Sequence, residues 1–218
     1  MTYDEVKKDK AVRVYIAQAD ASMEALGFTE HSFAHVSRVA EIAGDILSSL
    51  NYPERTVELA KISGYLHDIG NMVNRVDHSQ SGAVMAFRIL DRMNFPPEEI
   101  AAIVTAIGNH DEGTGVPVNA VAAALIIADK SDVRRSRVRR KADIKTDIHD
   151  RVNYSVKESA LNISEDRKAM TLTLKVDTEV SSVIEYFQIF MKRMIMCRKA
   201  AEKLGLSFHL IINEQKLV

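Results

Sequence analysis

The segment YLHDIGN, residues 65–71, sets a histidine and an aspartate side by side at the end of an apolar helical face. Val57, Ala60, Gly64 and His67 recur at steps of three and four, and Gly70 is placed to stop the helix. Upstream, Val36, Ala40, Ala43, Leu47 and Leu50 form one stripe, and His35, Val39, Ile42 and Ile46 form the adjoining one. His35 therefore stands at the rim of a wide apolar face. An earlier helix carries Val12, Ile16, Ala19, Met23 and Leu26 and ends at Gly27. Downstream, a helix starting near His78 runs through Val84, Phe87 and Leu90 to a break at Pro96 and Pro97. Ile100, Ile103, Ile107 and His110 line the next one. After the loop DEGTG (111–115), Pro117 is expected to open a helix on which Val118, Ala122, Leu125 and Asp129 align.

The periodicity changes near residue 158. Met170, Leu172, Leu174 and Val176 alternate with more polar residues, as do Leu206, Phe208, Leu210 and Ile212, which is the pattern of half-buried strands. A long amphipathic helix from about Val180 to Ala201 lies between them, and SEDRK (164–168) can turn back onto a strand around Leu161 and Ile163. The expected fold is mostly α: an all-helical domain over residues 1–157, then a small β-β-α-β unit over 158–218. That unit is expected to pack on the first domain or at a homodimer interface.

Composition narrows the class. Of 218 residues, 46% are hydrophobic and 27% charged, which excludes a disordered or fibrous chain. Lys and Arg number 29 against 30 Asp and Glu, so no global charge draws the chain to nucleic acid or membrane. The single cysteine, Cys197, excludes a disulfide framework and a cysteine zinc site, and fits a reducing compartment. The N-terminal MTYDEVKKDK lacks the apolar stretch of a signal peptide, so a cytoplasmic location without membrane association is expected.

Chemistry concentrates in the helical part. His35, His67, His78 and His110 each fall at a helix end or on a core-facing surface, and Asp68 follows His67. Asp129 closes an apolar face, where a carboxylate needs a neutralising cation. Imidazoles converging on that core are suitable ligands, and a mixed His/carboxylate set suits transition metals better than calcium.

The order His35, then His67-Asp68 within HDIG, then Asp129 within IIADKSD resembles the HD superfamily of metal-dependent phosphohydrolases, over roughly residues 28–140. The resemblance implies an all-helical domain with one metal held by His35, His67, Asp68 and Asp129. His78 and His110 make the chain similar to two-metal members: the HD domain of ribonuclease Y, the HD-GYP phosphodiesterases and the symmetrical dinucleoside tetraphosphate hydrolases. That likeness gives His78 and His110 to a second metal, with Asp68 bridging. The implied cofactor is a pair of divalent ions such as Mn, Fe, Co or Ni, with Mg also compatible. The implied reaction is hydrolysis of a phosphate mono- or diester, of a nucleotide or dinucleotide, by a metal-bound hydroxide. Two departures stand out. His110 is followed by Asp111 where many members have a second histidine, so Asp111 is a candidate additional ligand. GTGVP (113–117) is similar to the HD-GYP signature but has Val116 in place of tyrosine.

The stretch DKSDVRRSRVRRKAD (129–143) is strongly basic. Lys130 and Arg134 follow a proposed ligand closely and are the candidates for phosphate binding and catalysis, with Arg38 a further phosphate candidate. A small phosphorylated substrate is favoured over RNA, which would engage the whole run. His31 reads as a local hydrogen-bonding residue, and Cys197 and MKRMIM (191–196) as packing. Two rival readings remain: an HD-type di-iron oxygenase, which uses a similar ligand set, and a non-catalytic ligand-sensing module.

Overall fold

The computed structural model describes residues 1–139 and 147–217, so Arg140, Lys141 and Asp143 of the basic run lie outside the described residues. The helical part comprises α1 (Tyr3–Lys8), α2 (Lys10–Ala25), α3 (Phe33–Ser49), α4 (Glu54–Leu66), a 3-10 turn (Ile69–Met72), α5 (His78–Arg92), α6 (Pro97–Gly108) and α7 (Ala120–Ser131). A second short 3-10 turn (Arg135–Arg137) and α8 (Ile148–Ser155) lead to β1 (Val156–Ile163), β2 (Ala169–Val176), α9 (Val183–Lys203), β3 (Ser207–Ile212) and β4 (Gln215–Lys216). The fold is mostly helical with a small C-terminal α+β unit. Among the described residues no helix is long and apolar enough to cross a membrane.

Local chemistry sets most helix starts. Thr2 and Glu5 form a capping box on α1, a helix that the sequence reading did not mark. Ser32 accepts from the Ala34 amide at the start of α3. Pro117 does not open α7. Asn119 caps it by accepting from the Ala122 amide, and Pro117 lies in the loop before. Pro53 likewise precedes α4 as its cap. A capping box of Ser182 and Glu185 starts α9 at Val183, three residues later than the apolar spacing indicates.

α7 organises the core. Val121 through Ala128 are all buried, so this helix is apolar around its whole circumference. It packs against α3, α4 and α6 on the helical side and against α9 and β1 on the other. Its many alanines permit close neighbours on every side.

The sheet has the order β1-β2-β3-β4. β1 pairs antiparallel with β2, β2 parallel with β3, and β3 antiparallel with the short β4, which adds a strand to the expected β-β-α-β pattern. Met170, Leu172 and Leu174 stand opposite Phe208, Leu210 and Ile212, and all six are buried. They form the face covered by α9, the crossover between the two parallel strands. Tyr186, Phe190, Met194, Cys197 and Ala201 of α9 are buried in turn.

Since α9 forms one wall around α7, a fragment ending at residue 157 should be insoluble or lack a cooperative thermal transition. A soluble 1–157 fragment with a sharp melt by circular dichroism would show instead that the C-terminal unit is detachable.

Candidate metal centre

Two close helix contacts bring the histidines together. A Cβ on Gly64 would lie 2.7 Å from the Cα of Ala40, so only glycine lets α4 approach α3 this closely, and His35 and His67 sit beside that crossing. A Cβ on Gly70 would lie 1.9 Å from the carbonyl oxygen of His78. The glycine of HDIG thus serves less to end α4 than to let the 3-10 turn rest on the first turn of α5. The α4 helix ends at Leu66, His67 is its cap residue, and Asp68 lies in the turn.

His35, His67, Asp68, His78 and His110 are buried. Each histidine uses Nδ1 to fix its ring. His67, His78 and His110 hydrogen bond through Nδ1 to the carbonyl oxygens three residues back, of Gly64 at 2.8 Å, Arg75 at 3.2 Å and Ile107 at 2.6 Å. His35 Nδ1 bonds to Asp132 Oδ2 at 2.7 Å. With Nδ1–H donating, each neutral ring turns the lone pair of Nε2 inward.

Those nitrogens meet carboxylates and one another. His35 Nε2 lies 3.5 Å from Asp68 Oδ2 and 3.4 Å from Asp129 Oδ1. His67 Nε2 lies 3.2 Å and 3.7 Å from the same two oxygens. His78 Nε2 lies 3.5 Å from Asp68 Oδ1 and 3.2 Å from His110 Nε2. Ligand atoms bound at about 2.1 Å to one ion stand roughly 3–3.5 Å apart, and the separations here, 3.2–3.7 Å, lie in or just above that range. The buried Nε2 atoms of His35 and His67 have no hydrogen-bond partner among the described residues. Lone pairs facing carboxylate oxygens in a core repel unless a cation lies between them. The donor set therefore fits divalent ions. Ligand atoms cluster as His35, His67 and Asp129, and as His67, Asp68 and His110, with His78 touching Asp68 and His110.

The titration directions express the same demand for positive charge. Burial pulls His67 down, but Asp68 and Asp129 outweigh it and raise its pKa to about 10. His35 is also raised: burial and Arg137 oppose protonation, but Asp129, Asp132 and Asp68 prevail. Asp68 and Asp129 remain well below the carboxylate range, since neighbouring imidazoles, and Lys130 beside Asp129, overcome their burial. Burial holds His110 well below its ordinary value and lowers His78, a direction that favours the neutral ring in both.

The remaining candidates are placed as follows. Lys130 is buried, with Nζ 2.7 Å from Asp129 Oδ2 and 3.4 Å from Glu112 Oε1. Arg134 turns its Nε to Asp132 Oδ1 at 2.8 Å and a terminal nitrogen to Glu30, and Arg38 pairs with the same Asp132 oxygen at 3.1 Å. Both arginines thus support the carboxylate behind His35. Asp111 accepts from the Gly113 amide and belongs to neither ligand cluster. Arg139 is engaged with Asp20 and the Phe28 carbonyl.

Sequence reasoning missed four supporting residues. Asp132 stands in the basic run three residues after Asp129, about one helical turn on, and that spacing is the signal for it. Asn71 donates to Asp68 Oδ1 at 2.9 Å, and its proximity to the HD pair was the available signal. Glu112 and Arg193 join through an ion pair at 2.6 Å, and no local pattern announces a contact between residues so far apart in sequence. Beside the centre lies a cavity of about 500 Å³, lined by His31, Arg75, Glu112 and Arg137 and, from α9, by Phe190 and Arg193.

Residues 32–153 match the family model of the HD domain. The chain belongs to the HD family. An uncharacterized protein of Methanocaldococcus jannaschii is 27% identical over 213 residues, covering 87% of this chain and 80% of its own length. A crystal structure of a predicted HD superfamily hydrolase from an uncultured Thermotogales bacterium is 26% identical, with 62% of this chain and 75% of that one covered at a TM-score of 0.45. The matched region spans His35, His67, Asp68, His78, His110 and Asp129, and its buried His/Asp clusters are arranged so that they could hold divalent metal.

Two substitutions probe the centre. Asp68→Ala should remove metal at both clusters while the chain stays folded, whereas His78→Ala should leave part of the metal bound. Elemental analysis reads the difference, and equal losses would contradict a bridging role for Asp68. Asp132→Asn removes the charge behind His35 and should weaken metal binding by about 10–100-fold in chelator competition. Wild-type affinity in that variant would refute the orienting role.

Proposed function

We propose that this protein hydrolyses a phosphate mono- or diester, of a nucleotide or small dinucleotide, with divalent ions held by His35, His67, Asp68, His78, His110 and Asp129. The observation that carries the reading is the common orientation of the four imidazoles: every Nδ1 is tied back, and every Nε2 is turned toward Asp68, Asp129 or a neighbouring ring. Divalent ions at such a centre lower the pKa of water and neutralise phosphoryl oxygens, which suits phosphate ester hydrolysis.

The protein's own groups have separate tasks in this reading. Asp68 turns one oxygen to His35 and His67 and the other to His78, so its carboxylate lies between the two groups of ligands. Asn71 fixes that carboxylate from behind. Lys130 holds Asp129 and is a positioning residue more than a direct phosphate ligand. Arg134 and Arg38 act through Asp132, which sets the ring of His35. The adjoining cavity has the size of a small-ligand pocket, which favours a nucleotide over a long RNA.

A screen of phosphomonoesters, phosphodiesters and dinucleotides with Mn²⁺, Fe²⁺, Co²⁺, Ni²⁺ or Mg²⁺ tests the proposal. Activity should vanish on chelation and return with metal. Oxygen uptake by the iron-loaded protein, with no phosphate ester cleaved, would replace this reading with oxygenase chemistry.

A further inference from the structure

The cavity beside the metal centre receives guanidinium groups from two distant parts of the chain. Arg75 lies between the first 3-10 turn and α5, and Arg193 lies on α9. Each is held against a phenylalanine that also lines the cavity. The guanidinium carbon of Arg75 is 5.7 Å from the ring centroid of Phe28, and that of Arg193 is 4.5 Å from that of Phe190. Stacking of this kind fixes the plane of the fork while leaving its edge available.

Further contacts position both arginines. Arg75 Nη1 donates to Asn71 Oδ1 at 3.2 Å and lies 3.4 Å from His78 Nε2, and Asn71 also holds Asp68, so this arm is tied to the metal-centre residues. Arg193 Nε lies 2.6 Å from Glu112 Oε1, and the same oxygen is 3.4 Å from Lys130 Nζ, which pairs with Asp129. Among the described residues, Arg75 Nη2 and both terminal nitrogens of Arg193 donate no hydrogen bond. The third arginine of the cavity differs: Arg137 donates from all three nitrogens to the carbonyls of Glu30 and Asp132 and serves as wall. The acids on the cavity are likewise engaged. Glu112 lies between two cations, Asp147 caps α8, and Asp150, the third acid of the lining, is engaged as well.

We propose that Arg75 and Arg193 form a clamp for a phosphate group of the substrate, so that the C-terminal unit supplies one arm of the active site. This inference rests on the hydrolase reading above for the identity of the ligand. Two planar forks beside a centre that would hold divalent ions match a tetrahedral oxyanion with two negative charges, which can accept from both arms. The placement explains why a unit outside the metal cluster packs against α7: it delivers Arg193 to the cavity through Glu112.

Inorganic phosphate is the probe, titrated by calorimetry into full-length protein loaded with Mg²⁺ or Zn²⁺. Metal content and melting temperature are checked for each variant. Arg193→Gln and Arg75→Gln should each weaken phosphate binding by about tenfold or more. Arg198→Gln, on the exposed side of the same helix, should bind as wild type. Arg193→Lys keeps the ion pair with Glu112 but loses the fork, so it should restore stability and only part of the affinity. Three results would overturn the clamp: no phosphate binding by the wild type, undiminished binding by Arg193→Gln, or complete rescue by Arg193→Lys. If both arginines prove necessary for phosphate binding but no ester in the screen is cleaved, the clamp stands and the hydrolytic reading falls.

Discussion

Two carboxylates and four imidazole lone pairs share a few ångströms of protein interior, and that arrangement is tolerable only around positive charge. The rest of the molecule serves this constraint. Backbone carbonyls of Gly64, Arg75 and Ile107 and the carboxylate of Asp132 fix the four rings. Lys130 and Asn71 hold the two aspartates. Burial then gives these contacts strength, because a low dielectric strengthens both the repulsion and its relief.

The backbone meets the same constraint by bringing elements unusually close. Gly64 lets α3 and α4 touch at the level of His35 and His67, and Gly70 seats the 3-10 turn under His78. Neither glycine has a positive φ, so their value here is the missing side chain and not conformational freedom. The arginines of the 129–139 stretch also find structural work. Arg134 and Arg137 of that run, together with Arg38, surround Asp132, so part of the run's charge neutralises an internal carboxylate.

Much of this was legible in one sequence. Helical periodicity located most of the helices, and strand alternation located the sheet face, because both patterns record one-sided burial. His35, His67, Asp68, His78, His110 and Asp129 could be selected because each is a polar residue at an apolar face or helix end, and the structure brings all six together. Helix starts were less accessible where a cap, as at Asn119 or Ser182, overrides the proline or apolar residue nearby. The roles of Glu112 and Arg193 depend on a tertiary contact with no fixed spacing. Arg134 looked like a substrate residue because it is close to Asp129 in sequence, yet its side chain turns to Asp132 and Glu30.

The position of α7 has a consequence for biosynthesis. This helix carries Asp129 and Lys130 but has solvent on none of its long sides, and α9 forms one of its walls. A ribosome releases residues 120–131 well before residues 183–203, so α7 waits with an apolar flank uncovered until α9 arrives. Closing that flank is a late, long-range event, and it brings Arg193 to Glu112 in the same movement. Final assembly of the polar cluster is thus tied to the synthesis of residues 183–203, and a chain truncated before them presents both an uncovered helix and an unfinished site to the cell's quality control.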